Sequence, residues 1–382
     1  MGNNGWGGGG YLSRELCREL LARGWEVHFL SDHETANKHL AELPGVTIID
    51  NIHIPRDISI KRDLKAIGEV SRLCKKEKYD VVETYNSAPS VVGRIGARLA
   101  GVPTIIHHQA GWNTPISSGP KKAFYWLVEY LATAVSTTGI CCSNAEYNDG
   151  IKIKMPKKKL RIIRNGIDPD PYEIGAERGQ SFRMETLKVD DDAVVFGYAG
   201  RMSAVKDNQT LIDAFGKLPQ DLNAWLFMAG GGEQKELLED LASKSPAKDR
   251  IVFLGHVSDV IAFLHAIDVF ITTTEREGLS ISILEAMASE RPIICTAIPS
   301  NTELVQDGLN GLTVPVKDPA ATAAAMTKLA ADPKLRERFG EASRQKLEDE
   351  FTLARFLKET VGLYEELLAR TGPSGRAVQD RS

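Results

Sequence analysis

Twelve short apolar runs, separated by turn residues and stretches of helical periodicity, constrain this chain more than any other feature. They fall at 25–30, 46–49, 81–82, 104–106, 139–142 and 160–163 in the first half. A second set lies at 193–198, 224–228, 251–254, 269–272, 292–295 and 311–314. Runs this short between turns read as buried strands, and their alternation with helices requires parallel sheets covered on both faces. The fold class is therefore α/β. At 382 residues the chain exceeds one ordinary core and suits two domains. Asn165-Gly166-Ile167-Asp168-Pro169-Asp170-Pro171, dense in turn residues, marks the junction. The expected architecture is two doubly wound, Rossmann-like domains facing a cleft, 1–170 and 171–350. A helix over 351–371 returns to the first domain, and a mobile tail covers 372–382.

Composition acts mainly by exclusion. Net charge is −4, with 23 Lys and Arg against 18 Asp and Glu in residues 1–170, and 24 against 33 beyond. The basic cluster from Lys152, Lys154 and Lys157 to Lys158, Lys159, Arg161 and Arg164 is weak evidence for an anionic surface, and no nucleic-acid partner is expected. Five cysteines form no CxxC pair, and an odd number without a secretory leader favours a reducing compartment. Cys141 and Cys142 read as small hydrophobes. The histidines lack zinc-like spacing, and no apolar run approaches the ~20 residues that span a bilayer. The expected location is the cytoplasm, with peripheral contact at the inner membrane face held open.

In the second domain, Glu277-Gly278-Leu279-Ser280-Ile281-Ser282-Ile283-Leu284-Glu285 sets two carboxylates eight residues apart, where an apolar run passes through a tight turn into a helix. Helical positions eight apart share a broad face, so a turn at Gly278 brings both acids toward one pocket. Unpaired amides at a helix start, with the helix dipole, suit phosphate, and carboxylates accept hydrogen bonds from sugar hydroxyls. Phosphate and polyol together describe a nucleotide sugar. The plain alternative is a capping box, Ser282-Ile283-Leu284-Glu285, in which Glu285 folds back on the Ser282 amide. On spacing alone that alternative leads by about two to one, and the surroundings of the motif reverse the order.

Gly200-Arg201-Met202-Ser203-Ala204-Val205-Lys206 follows the run at 193–198. Arg and Lys there can neutralise a diphosphate, one as a planar fork and the other as a point charge, although isolated loop charges usually only solvate. Asp190-Asp191-Asp192 imitates a metal-binding DxD motif but precedes a strand and reads as a solvated turn, so no metal is assigned. The glycine run 7–10 precedes an amphipathic segment, 12–23, without a strand before it. It therefore fails the dinucleotide fingerprint, and the first domain is expected to lack its first strand.

Taken in order, these segments resemble the family 4 glycosyltransferases, retaining enzymes of the GT-B fold. The resemblance also rests on Gly93-Arg94-Ile95-Gly96-Ala97-Arg98-Leu99-Ala100-Gly101-Val102-Pro103, Arg164-Asn165-Gly166-Ile167-Asp168, Ala229-Gly230-Gly231-Gly232-Glu233, Phe253-Leu254-Gly255-His256 and Asp307-Gly308-Leu309-Asn310-Gly311-Leu312. It implies a nucleotide-sugar donor, UDP-linked ahead of GDP-linked, and no cofactor. Glu285 is then expected to hold the ribose hydroxyls, Glu277 the donor sugar, and Arg201 and Lys206 the diphosphate. Amides near Gly278, Leu279 and Ser280 join them, with Gly200 in the basic loop, His256 and Val257 near the base, and Gly10 approaching the phosphates. The family's His-Gly pair is matched by Ala110-Gly111, so His107, His108 or Gln109 stands in for the histidine, and His108 is kept as a candidate.

The implied activity is hexosyl transfer with retention to a saccharide, lipid-linked or small-molecule acceptor, in polysaccharide, glycolipid or glycoconjugate synthesis. Two alternatives stay open: a nucleotide-sugar-binding protein without turnover, and a nucleotide-sugar epimerase. Glu290 stands where a helix-ending glycine is usual, at little cost if its φ stays negative. Phe124, Leu127, Val128 and Leu131 form an apolar stripe after Lys121 and Lys122. Core packing leads a membrane-surface reading by about three to one.

Overall fold

The computed structural model describes residues 8–31, 34–54, 59–85, 88–109, 111–112 and 119–371. The chain divides into two compact units, Met1–Asn165 with Phe356–Ser382, and Gly166–Arg355. Each of the twelve apolar runs falls on a strand. In the first unit these are β1 (Val27–Leu30), β2 (Val46–Ile49), β3 (Val81–Tyr85), β4 (Thr104–His108), β5 (Thr138–Cys141) and β6 (Leu160–Ile162). They form two parallel sheets, β1-β2 and β3-β4-β5-β6. Every residue of β4 and β5 is buried, which explains runs without polar alternation.

The expectation of a missing first strand, like the tail 372–382, falls outside the described residues. The glycine run is corrected where it is described: Gly8, Gly9 and Gly10 are the first turn of the helix Gly8–Ala22, not a loop. Leu12, Leu16 and Leu20 bury one stripe of that helix. Their burial, about 1.5–3 kcal/mol each, outweighs the roughly 1 kcal/mol that each helical glycine costs relative to alanine.

The second unit carries β7 (Val194–Ala199), β8 (Ala224–Ala229), β9 (Ile251–Gly255), β10 (Val269–Thr272), β11 (Ile293–Thr296) and β12 (Gly311–Val314). All six are parallel, in the order β12-β11-β10-β7-β8-β9. This is the doubly wound order whose direction reverses between β7 and β10, and ligands of such sheets gather beyond the strand carboxyl ends there. Gly166 opens the unit in contact with the 351–353 segment. A Cβ on it would lie 2.2 Å from the Thr352 carbonyl oxygen, while Ile167 N donates to Phe351 O at 3.0 Å and Leu353 N to Ile167 O at 2.9 Å. The two stretches that bound the unit in sequence therefore run side by side.

Two expectations need correction here. Glu290 has φ +55°. Arg291 N donates to Ala286 O at 2.9 Å and Glu290 N to Met287 O at 3.1 Å, a Schellman closure that forces the left-handed conformation whatever the residue. The cost is about 1–2 kcal/mol rather than little. The apolar stripe is not core: on the helix Gly119–Val135, Phe124, Leu127 and Leu131 are 49%, 48% and 53% exposed, and only Val128 is partly covered. The arc that this helix buries carries Glu129, Ala132 and Thr133 instead, and the helix packs on the neighbouring helix Ala88–Ala100. All five cysteines are buried and none forms a disulfide.

Candidate active site

The two loops flanking the switch between β7 and β10 carry the basic and acidic residues singled out above. Lys206 Nζ donates to Glu277 Oε2 in a close ion pair, the two side chains 19% and 23% exposed. Burial alone would pull the lysine's pKa down, but the Glu277 carboxylate overrides it and the net shift is upward, so Lys206 stays charged. Arg201 is exposed, with no ion-pair partner among the described residues.

Several residues without any obvious motif hold this loop. Thr273 Oγ1 donates to Asp207 O at 2.8 Å, Thr274 Oγ1 to Val205 O at 3.0 Å, and Glu275 N to Val205 O at 2.9 Å. The β10 exit thus clamps residues 205–207 and delivers Lys206 to Glu277. Asp207 takes φ +46° to make the turn, and Tyr198 Oη donates to Arg201 O at 2.9 Å. Gly230 explains the glycine cluster after β8. Its φ is +124°, and a Cβ there would sit 1.9 Å from the Gly200 carbonyl oxygen. Gly230 N in turn donates to Gly255 O at 2.7 Å, which ties the β9 exit, with exposed His256 and partly covered Val257, to the same edge.

The turn after Glu277 leads into the helix Ile281–Ala288, capped by Ser280, whose Oγ accepts from Ile283 N at 3.4 Å. That overturns the capping-box alternative, since Ser282 is already inside the helix and Glu285 lies one turn further on. Glu277 itself precedes the helix, so the turn rather than a shared helical face places the two acids. The amides of Gly278, Leu279 and Ser280 have no hydrogen-bond partner among the described residues.

The Glu285 carboxylate is likewise unpartnered among the described residues, and burial raises its pKa from 4.5 to about 7. The folded state therefore binds its proton more tightly than the unfolded chain does. Stability from this group is complete below pH ~4.5 and is lost as pH rises through ~7, about 3 kcal/mol in all. We expect the melting temperature of the native chain to fall between pH ~5 and ~8 more steeply than that of Glu285→Gln. Parallel slopes by calorimetry would contradict the assignment.

Gly10 and His108 belong to the first unit. His108 ends β4 opposite Tyr85, 7% exposed, stacked on Tyr85 and tilted against Phe356. Its Nδ1 lies 3.8 Å from Glu83 Oε1, beyond a hydrogen bond. Glu83 meanwhile accepts from Tyr85 at 2.8 Å and from Tyr364. His107 is buried with Nδ1 3.0 Å from Thr84 O, and burial followed by the Arg94 charge holds its pKa well below the ordinary value. Ala110 lies outside the described residues. Gly111 N donates to Glu146 Oε1 at 2.5 Å, and Cys142 N donates to Glu146 Oε2 at 2.8 Å. Glu146 thus fixes the β4 exit, a role hidden in the sequence because its partners are backbone amides.

Two family models account for most of the chain: the group 1 glycosyl transferases match residues 180–346, and Glycosyltransferase Family 4 matches residues 6–171. The chain belongs to these glycosyltransferases. As a retaining GT-B family member it transfers sugar from a nucleotide-sugar donor. Among curated proteins it is 27% identical to the UDP-Gal:alpha-D-GlcNAc-diphosphoundecaprenol alpha-1,3-galactosyltransferase of Escherichia coli over 320 residues, 82% of each chain. It is 26% identical to the capsular polysaccharide biosynthesis glycosyltransferase CapM of Staphylococcus aureus over 368 residues, 94% of each. The fold matches Anabaena HepE, solved with UDP and glucose, with a TM-score of 0.83 at 19% identity over 96% of this chain and 98% of that one.

Proposed function

We propose that this glycosyltransferase uses a UDP-sugar and extends a lipid-linked saccharide during polysaccharide or glycolipid assembly. The observation that carries the donor site is the Lys206–Glu277 pair at the sheet's switch point, beside the unpaired amides of Gly278 to Ser280. Arg201 and Lys206 take the diphosphate, Glu277 the sugar hydroxyls, and Glu285 the ribose diol, while His256 and Val257 lie by the base. Gly200 lets the loop approach the phosphates. The relatives with UDP, a diphospho-lipid acceptor and capsular polysaccharide in their names support the choice of donor and acceptor.

In the transfer step the C1–O bond to the diphosphate breaks, and its electron pair leaves with the phosphate oxygen. The acceptor oxygen bonds C1 on the same face and its proton passes to the departing phosphate. Glu277 is held by Lys206, which suits it to sugar binding rather than attack. Cationic groups fixed where charge develops are usually the largest catalytic contribution. Proton NMR of the first-formed product is expected to show the donor's anomeric configuration; inversion would reject the mechanism. Incubation with donor alone separates transfer from epimerisation, since an epimerase would convert the donor without any acceptor.

A further inference from the structure

Beyond Lys122 in its first turn, the solvent face of the helix Gly119–Val135 carries no charge. Ala123, Phe124, Leu127, Leu131 and Ala134 are all exposed along it, and the helix's single acid, Glu129, is buried at 7% exposure. A surface helix normally turns its polar side to water, so this one is inverted relative to expectation. Its neighbour supplies the missing polarity. Trp126 Nε1 donates to Ile153 O at 2.6 Å, fastening the helix to the segment that presents Lys152, Lys154, Lys157 and Lys158, all exposed. Lys154, Lys157 and Lys158, with Lys122 at the start of the helix, make no ion pair among the described residues.

We propose that this face is a peripheral docking surface for an anionic lipid bilayer, with Phe124, Leu127 and Leu131 entering the interface and the lysines meeting acidic headgroups. An apolar stripe beside lysines without counterions is the composition that binds such an interface, each component reinforcing the other. A second copy of the chain offers the same lysines and no acidic counterpart on this face, so self-association lacks the charge complement. No helix among the described residues is long and apolar enough to span a membrane. The inference goes beyond the transfer reaction by naming where the first unit rests.

The test is co-sedimentation of the full chain with vesicles of phosphatidylcholine alone or with about 30% phosphatidylglycerol, without donor or acceptor. Its outcome is therefore independent of the transferase assignment. Binding to the anionic vesicles is expected, at least tenfold weaker to neutral ones and reduced by added salt. Phe124→Ser/Leu127→Ser/Leu131→Ser should abolish it, and Lys154→Gln/Lys157→Gln/Lys158→Gln should weaken it at least fivefold, with unchanged melting temperatures because all six side chains are exposed. Equal binding to both vesicle types, binding that survives the serine variant, or a native dimer that the serine variant converts to monomer would each overturn the proposal.

Discussion

Replacing Lys206 by alanine is expected to lower kcat for sugar transfer by about 10²–10³-fold, equivalent to about 3–4 kcal/mol of transition-state stabilisation. The lysine is charged and half-buried, and it is aimed by a turn that Thr273 and Thr274 clamp from the facing strand. None of that positioning has to be built when the leaving diphosphate gains charge. The variant also frees Glu277, which repels the leaving group, so Lys206→Ala/Glu277→Gln should recover part of the kcat that Lys206→Ala loses. Lys206→Arg should restore little, because a planar fork does not occupy the place of an ammonium held in one turn. Steady-state assays with saturating donor and acceptor decide it. A loss of under tenfold for Lys206→Ala would remove this residue from the catalytic machinery.

The largest effect on stability is expected at Gly230. Alanine there must adopt φ +124° and place its Cβ 1.9 Å from the Gly200 carbonyl oxygen, in a backbone contact that cannot move aside. Left-handed strain and overpacking together cost about 3 kcal/mol, a fall of roughly 6–12 °C for a unit of this size. Gly231 is the internal control, since a Cβ there meets nothing within 4 Å. Gly231→Ala should melt within a degree or two of the native chain. Equal melting of the two variants would show that the β7 and β8 exits are not locked together. The displaced Gly200 loop should also lose donor affinity in Gly230→Ala, measurable below its melting transition.

These two sites mark how far the sequence could be read. The strands were legible because burial on both faces leaves unbroken apolar runs, and β7 to β12 fall within a few residues of those runs. Lys206 and Glu277 were legible as residue types at strand exits, but their contact across 71 positions was not. It depends on Thr273 and Thr274, which in sequence look like a β-branched continuation of β10. The glycines after β8 were visible only as a motif; the reason for Gly230 lies in the Gly200 carbonyl group, in the loop after β7.

Periodicity misled in the helix Gly119–Val135. A repeat of apolar residues shows that a helix has an apolar face, but not whether protein or something else covers it. The spacing of Ser282 and Glu285 also admitted a capping box that the structure lacks, because the helix starts at Ile281 with Ser280 as its cap. Glu146 escaped notice because a carboxylate that accepts from backbone amides leaves no partner to find in sequence.

The most direct test of the donor site is the melting temperature of the native chain and of Glu285→Ala, with and without UDP, GDP, ADP or NAD. At about 100-fold over Kd a ligand adds about 2.7 kcal/mol, or roughly 5–10 °C here. The account predicts that rise with UDP for the native chain, a smaller one with GDP or ADP, and none with UDP for Glu285→Ala. No shift with any nucleoside diphosphate, or a shift with NAD alone, would contradict it.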